Sequence, residues 1–180
     1  EPGKAFKYLS GNTFLLGMVI EKATGKTLSE YLAEALWQPM GCEGEALWQL
    51  DSEESGLEKA YCGIASNARD FARLGKLYRD HGKWNGKQLL DSAFVAKSVQ
   101  PRFADHPEYG YGWWLLDYKG IHFFMMRGHL GQYVIVNPTD KVIIVRFGHS
   151  LSDEAPEGST FPSDIYTYID EAYKMINGNS

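Results

Sequence analysis

The sequence has little of what marks a membrane, metal or nucleic-acid protein. No stretch approaches the roughly 18 consecutive apolar residues that span a bilayer, so no membrane span is expected. The opening Glu1-Pro2-Gly3-Lys4 has no apolar signal-peptide core. Cys42 and Cys62 are the only cysteines, without the close Cys or His neighbours that a zinc site or disulfide framework needs. Two separate half-buried thiols are the plain expectation, and a bridge between them is the alternative. His81, His106, His122 and His149 show neither His-x-His nor His-x-x-x-His spacing, so no metal or other cofactor is expected. Positive charge is scarce: 18 Lys and Arg against 23 Asp and Glu give a net charge of −5. No basic run interleaves with aromatics, which argues against a nucleic-acid partner.

What is present is enough for one packed domain. The 180 residues are 44% apolar and 23% charged, which sets aside a disordered or fibrous chain. No repeat, low-complexity tract or interdomain linker stands out. Phe14, Leu15, Met18, Val19 and Ala23 recur at three- and four-residue steps, predicting a core-facing helix that stops at Thr24-Gly25. Thr27-Leu28-Ser29-Glu30 is a capping box opening a second helix, with Tyr31, Leu32, Ala35 and Leu36 on one face and Pro39 as its end. Periodicity is lost from Met40 to Ile64, where Leu47-Trp48 and Tyr61-Cys62 suit brief strands or turns. A third helix starts at Ser66 or Asn67 and turns Phe71, Leu74, Leu77 and Tyr78 inward. A short fourth helix starts at Asp91 and runs through Val99 to Pro101.

Beyond Pro101 the pattern changes. Tyr109 to Tyr118, Ile121 to Arg127, Gln132 to Asn137 and Lys141 to Phe147 are rich in β-branched and aromatic residues, predicting an antiparallel meander. An acidic loop, 150–159, precedes a final helix with Ile165, Tyr168, Ile169, Ala172 and Ile176 at helical spacing. Residues 1–100 are thus expected to be mostly helical, and 101–180 to hold the strands and last helix. The fold class is α+β.

Two short constellations carry the chemical interest: Tyr8-Leu9-Ser10 before the first helix, and His129-Leu130-Gly131 entering a strand. Either alone is more often packing or a solvated edge than chemistry. Their surroundings change that. Tyr8-Leu9-Ser10-Gly11-Asn12-Thr13-Phe14-Leu15-Leu16-Gly17, followed by Glu21-Lys22-Ala23-Thr24-Gly25-Lys26, resembles the Tyr-x-Asn region of class C β-lactamases, penicillin-binding proteins and related serine hydrolases. The likeness continues through Pro39-Met40-Gly41, Gly63-Ile64-Ala65-Ser66, Arg69-Asp70-Phe71-Ala72-Arg73-Leu74-Gly75 and Tyr109-Gly110-Tyr111-Gly112-Trp113-Trp114. It ends at Gly128-His129-Leu130-Gly131-Gln132, Asn137-Pro138 and the final helix. Within the family the sequence looks most like the 6-aminohexanoate-dimer hydrolases and esterases.

The resemblance implies a β-lactamase/transpeptidase-like fold and an acyl-enzyme built on three elements. These are a Ser-x-x-Lys nucleophile pair, a Tyr-x-Asn loop and a Lys-Thr-Gly or His-x-Gly strand. No serine here has Lys three residues on, so the nucleophile and the helix that bears it are expected upstream of Glu1, in a missing amino-terminal segment. The expectation is then a carboxy-terminal portion, inactive alone. By the resemblance, Tyr8 and Ser10 are catalytic together with His129 and the backbone amide of Gln132, and Leu130, Gly131 and Trp114 line the substrate. A phenol that titrates near ~10 needs nearby cations to serve as a base or relay. An amide donor such as that of Gln132 suits an oxyanion, and Gly131 leaves room for a substrate against the strand. Ser10 stands where the family usually has Asn, and a hydroxyl cannot donate and accept at an amide's reach. That tilts the expected substrate from β-lactams to small esters, linear amides or peptides. The alternative is a non-catalytic penicillin-binding-like module that recognises a peptide or cell-wall fragment. Arg69 and Asp70 are expected to serve capping or a local ion pair.

Overall fold

The computed structural model describes residues 3–150, 152 and 154–178. Its centre is a four-stranded antiparallel meander: β5 (Trp114–Tyr118), β6 (Ile121–Gly128), β7 (Gln132–Asn137) and β8 (Val142–Arg146), in spatial order 5-6-7-8. Ahead of it come α1 (Ser10–Thr24), α2 (Leu28–Leu32) running into a π-helical turn (Ala33–Trp37), and α3 (Ala68–Arg79) and α4 (Ser92–Ser98). Two small hairpins, β1 (Leu47–Trp48) with β2 (Ile64–Ala65) and β3 (Lys83–Trp84) with β4 (Lys87–Gln88), fill the connections. The last helix is α5 (Ser163–Asn177).

Strand alternation divides the apolar residues between two faces of the meander. Leu116, Phe123, Met125, Tyr133 and Ile135 pack under Phe161 and the α5 residues Ile165 and Ile169. Leu115, Phe124, Val134 and Val136 pack with Trp113 on the other face, against Phe71 and Tyr78 of α3. The register agrees, since Leu116 lies opposite Phe123 and Leu115 opposite Phe124. Gly75 lets α3 settle on the sheet: a Cβ there would stand 3.0 Å from methyls of both Val134 and Val136.

Capping follows the sequence closely. Thr27 and Glu30 form the reciprocal capping box, Asn67 rather than Ser66 caps α3 by accepting from the Asp70 amide, and Asp91 caps α4. The second helix departs from expectation in its last turn, which widens into the π-helical turn before Pro39. Tyr31 on that helix is exposed.

Leu47-Trp48 is a brief strand paired with Ile64-Ala65, and Tyr61-Cys62 lies in a turn. Two other expectations are corrected. The strand expected from Tyr109 begins only at Trp114, because Gly110 presses against the carbonyl of Ser98 at the end of α4 and the Tyr111 amide donates to that carbonyl at 2.9 Å. The second concerns α1. Leu15, Met18 and Val19, read as core-facing, are 61%, 43% and 54% exposed. The helix seats itself instead through Gly17, where a Cβ would come within 2.5 Å of the Ala60 Cβ. Apolar periodicity shows that a face favours cover without saying which element supplies it. Ile176, near the end of α5, is likewise exposed. Among the described residues no helix is long and apolar enough to cross a membrane.

Candidate active site

Tyr8 and Ser10 flank Leu9, the N-cap of α1, whose extended backbone turns the chain into the helix. Both residues are exposed. The Tyr8 ring stands edge-on to Tyr109 at 5.6 Å and tilted against Trp114 at 5.4 Å. Such ring pairs favour offset and edge geometries because their quadrupoles oppose a face-to-face sandwich. Tyr109 is itself edge-on to Trp114 at 4.9 Å. Burial, with the neighbouring Tyr8 phenol adding to it, pushes the Tyr109 hydroxyl up to about 12, so this phenol stays neutral at physiological pH.

Trp114 is half-buried at the start of β5 and carries a cation: the Arg127 guanidinium lies 4.9 Å from its ring. Arg127 also donates to the Thr160 carbonyl at 3.1 Å. Two residues beyond Arg127 comes the turn bearing His129. The structure thus brings Tyr8 and Trp114 into ring contact and links them, through Arg127, to the β6 end that carries the second constellation. Among the described residues Tyr8 and His129 share no hydrogen bond.

His129-Leu130-Gly131 forms the turn between β6 and β7 rather than the entry of a strand, and Gly128 lies opposite Gln132 where the ladder begins. Leu130 and Gly131 both have left-handed backbones, at φ 55° and 80°. A Cβ on Gly131 would collide with the Arg146 guanidinium and stand 2.7 Å from the Ser150 carbonyl oxygen. The Gln132 side chain is occupied, donating to the Gly148 carbonyl and accepting from the Gly148 amide at 3.2 Å.

Arg127, Tyr109 and Arg146 were missed by sequence reasoning. Strand alternation offered a cue for Arg127, since it is two residues from His129. Nothing local ties Arg146 to residues 130 and 131.

Two concavities lie elsewhere. One of about 390 Å³ runs between the π-helical turn and β1, lined by Trp37, Leu47 and Trp48 among others. One of about 270 Å³ lies between the β5–β6 turn and α5. Neither is lined by Tyr8, Ser10, His129 or Gln132.

Asp70 has a structural task. Its side chain is fully buried and accepts from the amides of Gly44 at 2.7 Å and Glu43 at 3.0 Å, from Asn67 at 2.6 Å, and from Arg73. Burial alone would raise its pKa, but these donors together hold it below the ordinary carboxylate range. Arg69 is exposed and only 3.9 Å from Glu43, a weak surface pair.

An antiparallel meander clasped between helices, with a Tyr-x-Ser turn at the head of α1 and a His-x-Gly turn in the sheet, defines a β-lactamase-type fold. The family model described as "Beta-lactamase" matches residues 1–165, and the chain belongs to that family. A 6-aminohexanoate-dimer hydrolase of Paenarthrobacter ureafaciens is 31% identical over 90 residues, which are 50% of this chain and 22% of that protein. A Bacillus anthracis structure provisionally described as a 6-aminohexanoate-dimer hydrolase superposes with a TM-score of 0.77 at 31% identity, over 97% of this chain and 44% of that one. A Bacteroides dorei structure provisionally described as a β-lactamase has a TM-score of 0.69 at 17% identity, over 94% of this chain and 59% of that one, and supports the fold alone. The chain therefore spans less than two thirds of each of these relatives.

Proposed function

We propose that this chain is the carboxy-terminal portion of a serine hydrolase that cleaves an amide or ester bond through an acyl-enzyme. In this reading the nucleophilic serine and its lysine lie outside residues 1–180, and Tyr8, Ser10, His129 and Gln132 complete the site. The observation that supports the proposal is the ring contact of Tyr8 with Trp114, because Trp114 also touches the Arg127 guanidinium on β6, the strand that leads into the His129 turn.

The division of labour follows from the groups. Tyr8 relays a proton between nucleophile and leaving group. The Gln132 amide meets the developing oxyanion. Ser10 offers a single hydroxyl to the substrate, and Trp114, Leu130 and Gly131 shape its path. With Ser10 in place of an amide side chain, small esters and linear amides or peptides are the proposed substrates in preference to β-lactams.

The exposed Leu15, Met18 and Val19 of α1 are the surface on which the remainder of the protein is proposed to pack. Both faces of the meander are already covered, so on the sheet only the outer edges of β5 and β8 are left for further pairing.

The test is Tyr8→Phe in the intact protein. Removing the hydroxyl should lower kcat by about 10²-fold or more, and unchanged turnover in a folded variant would reduce Tyr8 to a packing residue. The 180-residue chain alone should show no turnover, and a fluorophosphonate probe that labelled a serine within it would refute the placement of the nucleophile.

A further inference from the structure

We propose that Arg146 is a positioning residue that sets the conformation of the His129–Gly131 turn for catalysis; this rests on the hydrolase reading given above. Arg146 ends β8 opposite Tyr133, and among the described residues it makes no ion pair with an acid. Its donors go to backbone instead. Nη1 donates to the Gly131 carbonyl at 2.7 Å and to the Leu130 carbonyl at 3.2 Å, while Nε donates to the Tyr168 hydroxyl at 3.2 Å. The guanidinium lies 5.8 Å from the ring centroids of Tyr133 and Tyr168.

The surroundings are shaped to this cation. A Cβ on Gly131 or on Gly148 would overlap the guanidinium, so both glycine backbones pass against it. Gly148 is in turn tied to the Gln132 side chain. One planar fork thus joins the turn, the end of β8 and α5. A lysine ammonium carries the charge without the fork geometry that serves several acceptors at once.

The consequence for catalysis comes from the peptide plane. Leu130 sits at φ 55°, a conformation that a branched side chain holds only where its surroundings over-determine it. Charge-assisted bonds to two consecutive carbonyls supply that constraint. The peptide between Gly131 and Gln132 is planar, so fixing the Gly131 carbonyl also fixes the Gln132 amide. Arg146 therefore orients the proposed oxyanion donor without touching substrate.

The experiment compares Arg146→Ala, Arg146→Lys and Tyr8→Phe in the intact protein on an aryl ester, with thermal unfolding recorded for each. Arg146→Ala should lower kcat by about 10²-fold with little change in KM, and added guanidinium ion at a non-denaturing concentration should restore part of it. Arg146→Lys should recover less than guanidinium does. A kcat that Arg146→Ala leaves unchanged, or a loss that guanidinium does not restore, overturns the role. If Arg146→Ala does not fold, Arg146→Lys and Gly148→Ala, which displaces the guanidinium without removing it, carry the same comparison. A Tyr8→Phe variant with normal kcat would sink the hydrolase reading of Tyr8. A loss in Tyr8→Phe alone would sink only the role of Arg146.

Discussion

The ring of Tyr8 rests 5.4 Å from that of Trp114, and the same indole lies 4.9 Å from the Arg127 guanidinium. The indole is thus in contact with both a phenol and a cation. In the intact protein Trp114→Ala is expected to lower kcat by on the order of 10- to 10²-fold, because the displaced phenol loses its near-attack geometry. Trp114→Phe keeps a ring in place and should retain most of the activity. Steady-state kinetics on one ester substrate distinguish the two.

Asp70 supplies a pH prediction. Its folded pKa lies below the unfolded value, so its contribution to stability is present above the ordinary carboxylate value of 3.8 and withdrawn as pH falls below it. Asp70→Ala leaves the amides of Glu43 and Gly44 and the Arg73 guanidinium without their buried acceptor, and should cost about 3–5 kcal/mol at pH 7. Urea unfolding at pH 7 and pH 3 measures both effects. The difference between wild type and variant should shrink at the lower pH.

The two cysteines are free, Cys42 half-buried and Cys62 exposed. Burial, reinforced by Asp70 and opposed by Arg73, pushes the Cys42 thiol up to about 11. The thiolate is the nucleophile, so iodoacetamide at pH 8 should modify Cys62 well before Cys42. Peptide mass spectrometry of the native chain reads the order, and equal rates would refute it.

Leu15→Lys and Val19→Lys on α1 remove exposed apolar surface without opening a cavity. Each should leave the unfolding free energy of the 180-residue chain within about 0.5 kcal/mol of wild type while reducing self-association seen by size-exclusion chromatography. In the intact protein the same changes should destabilise, since there the face is proposed to be covered.

Much of this fold is legible along the chain because the signals are local. The Thr27 capping box and the α3 positions Phe71, Leu74, Leu77 and Tyr78 need only neighbouring residues to be recognised, and the meander declares itself by its β-branched and aromatic composition. Errors arise where a distant partner decides. The Tyr109–Trp113 segment looks like strand, but contact with the end of α4 keeps it out of the sheet. His129–Gly131 has the spacing of a strand entry, while Arg146, fifteen residues past Gly131, holds it as a turn. Asp70 reads as an ordinary first-turn acid, and its reach to Glu43 and Gly44 has no linear signature. The candidate site shows the same division: its residue types were visible, but the cation over Trp114 was not.

The glycine seat of α1 has a dynamic consequence. The helix rests on Gly17 against Ala60, with Phe14 edge-on to Tyr61 at 5.9 Å, and it turns its larger aliphatic side chains to water. A helix held this way opens locally at a small fraction of the global unfolding free energy. The β6–β7 hairpin, inside a sheet covered on both faces, opens only with the core. Amides 13–24 are thus expected to exchange hydrogen long before amides 123–136, so the helix that Tyr8 leads into and the hairpin that carries His129 have different lifetimes. In the proposed hydrolase, whatever covers α1 would then also decide how often Tyr8 stands beside Trp114, joining assembly of the protein to the readiness of its phenol.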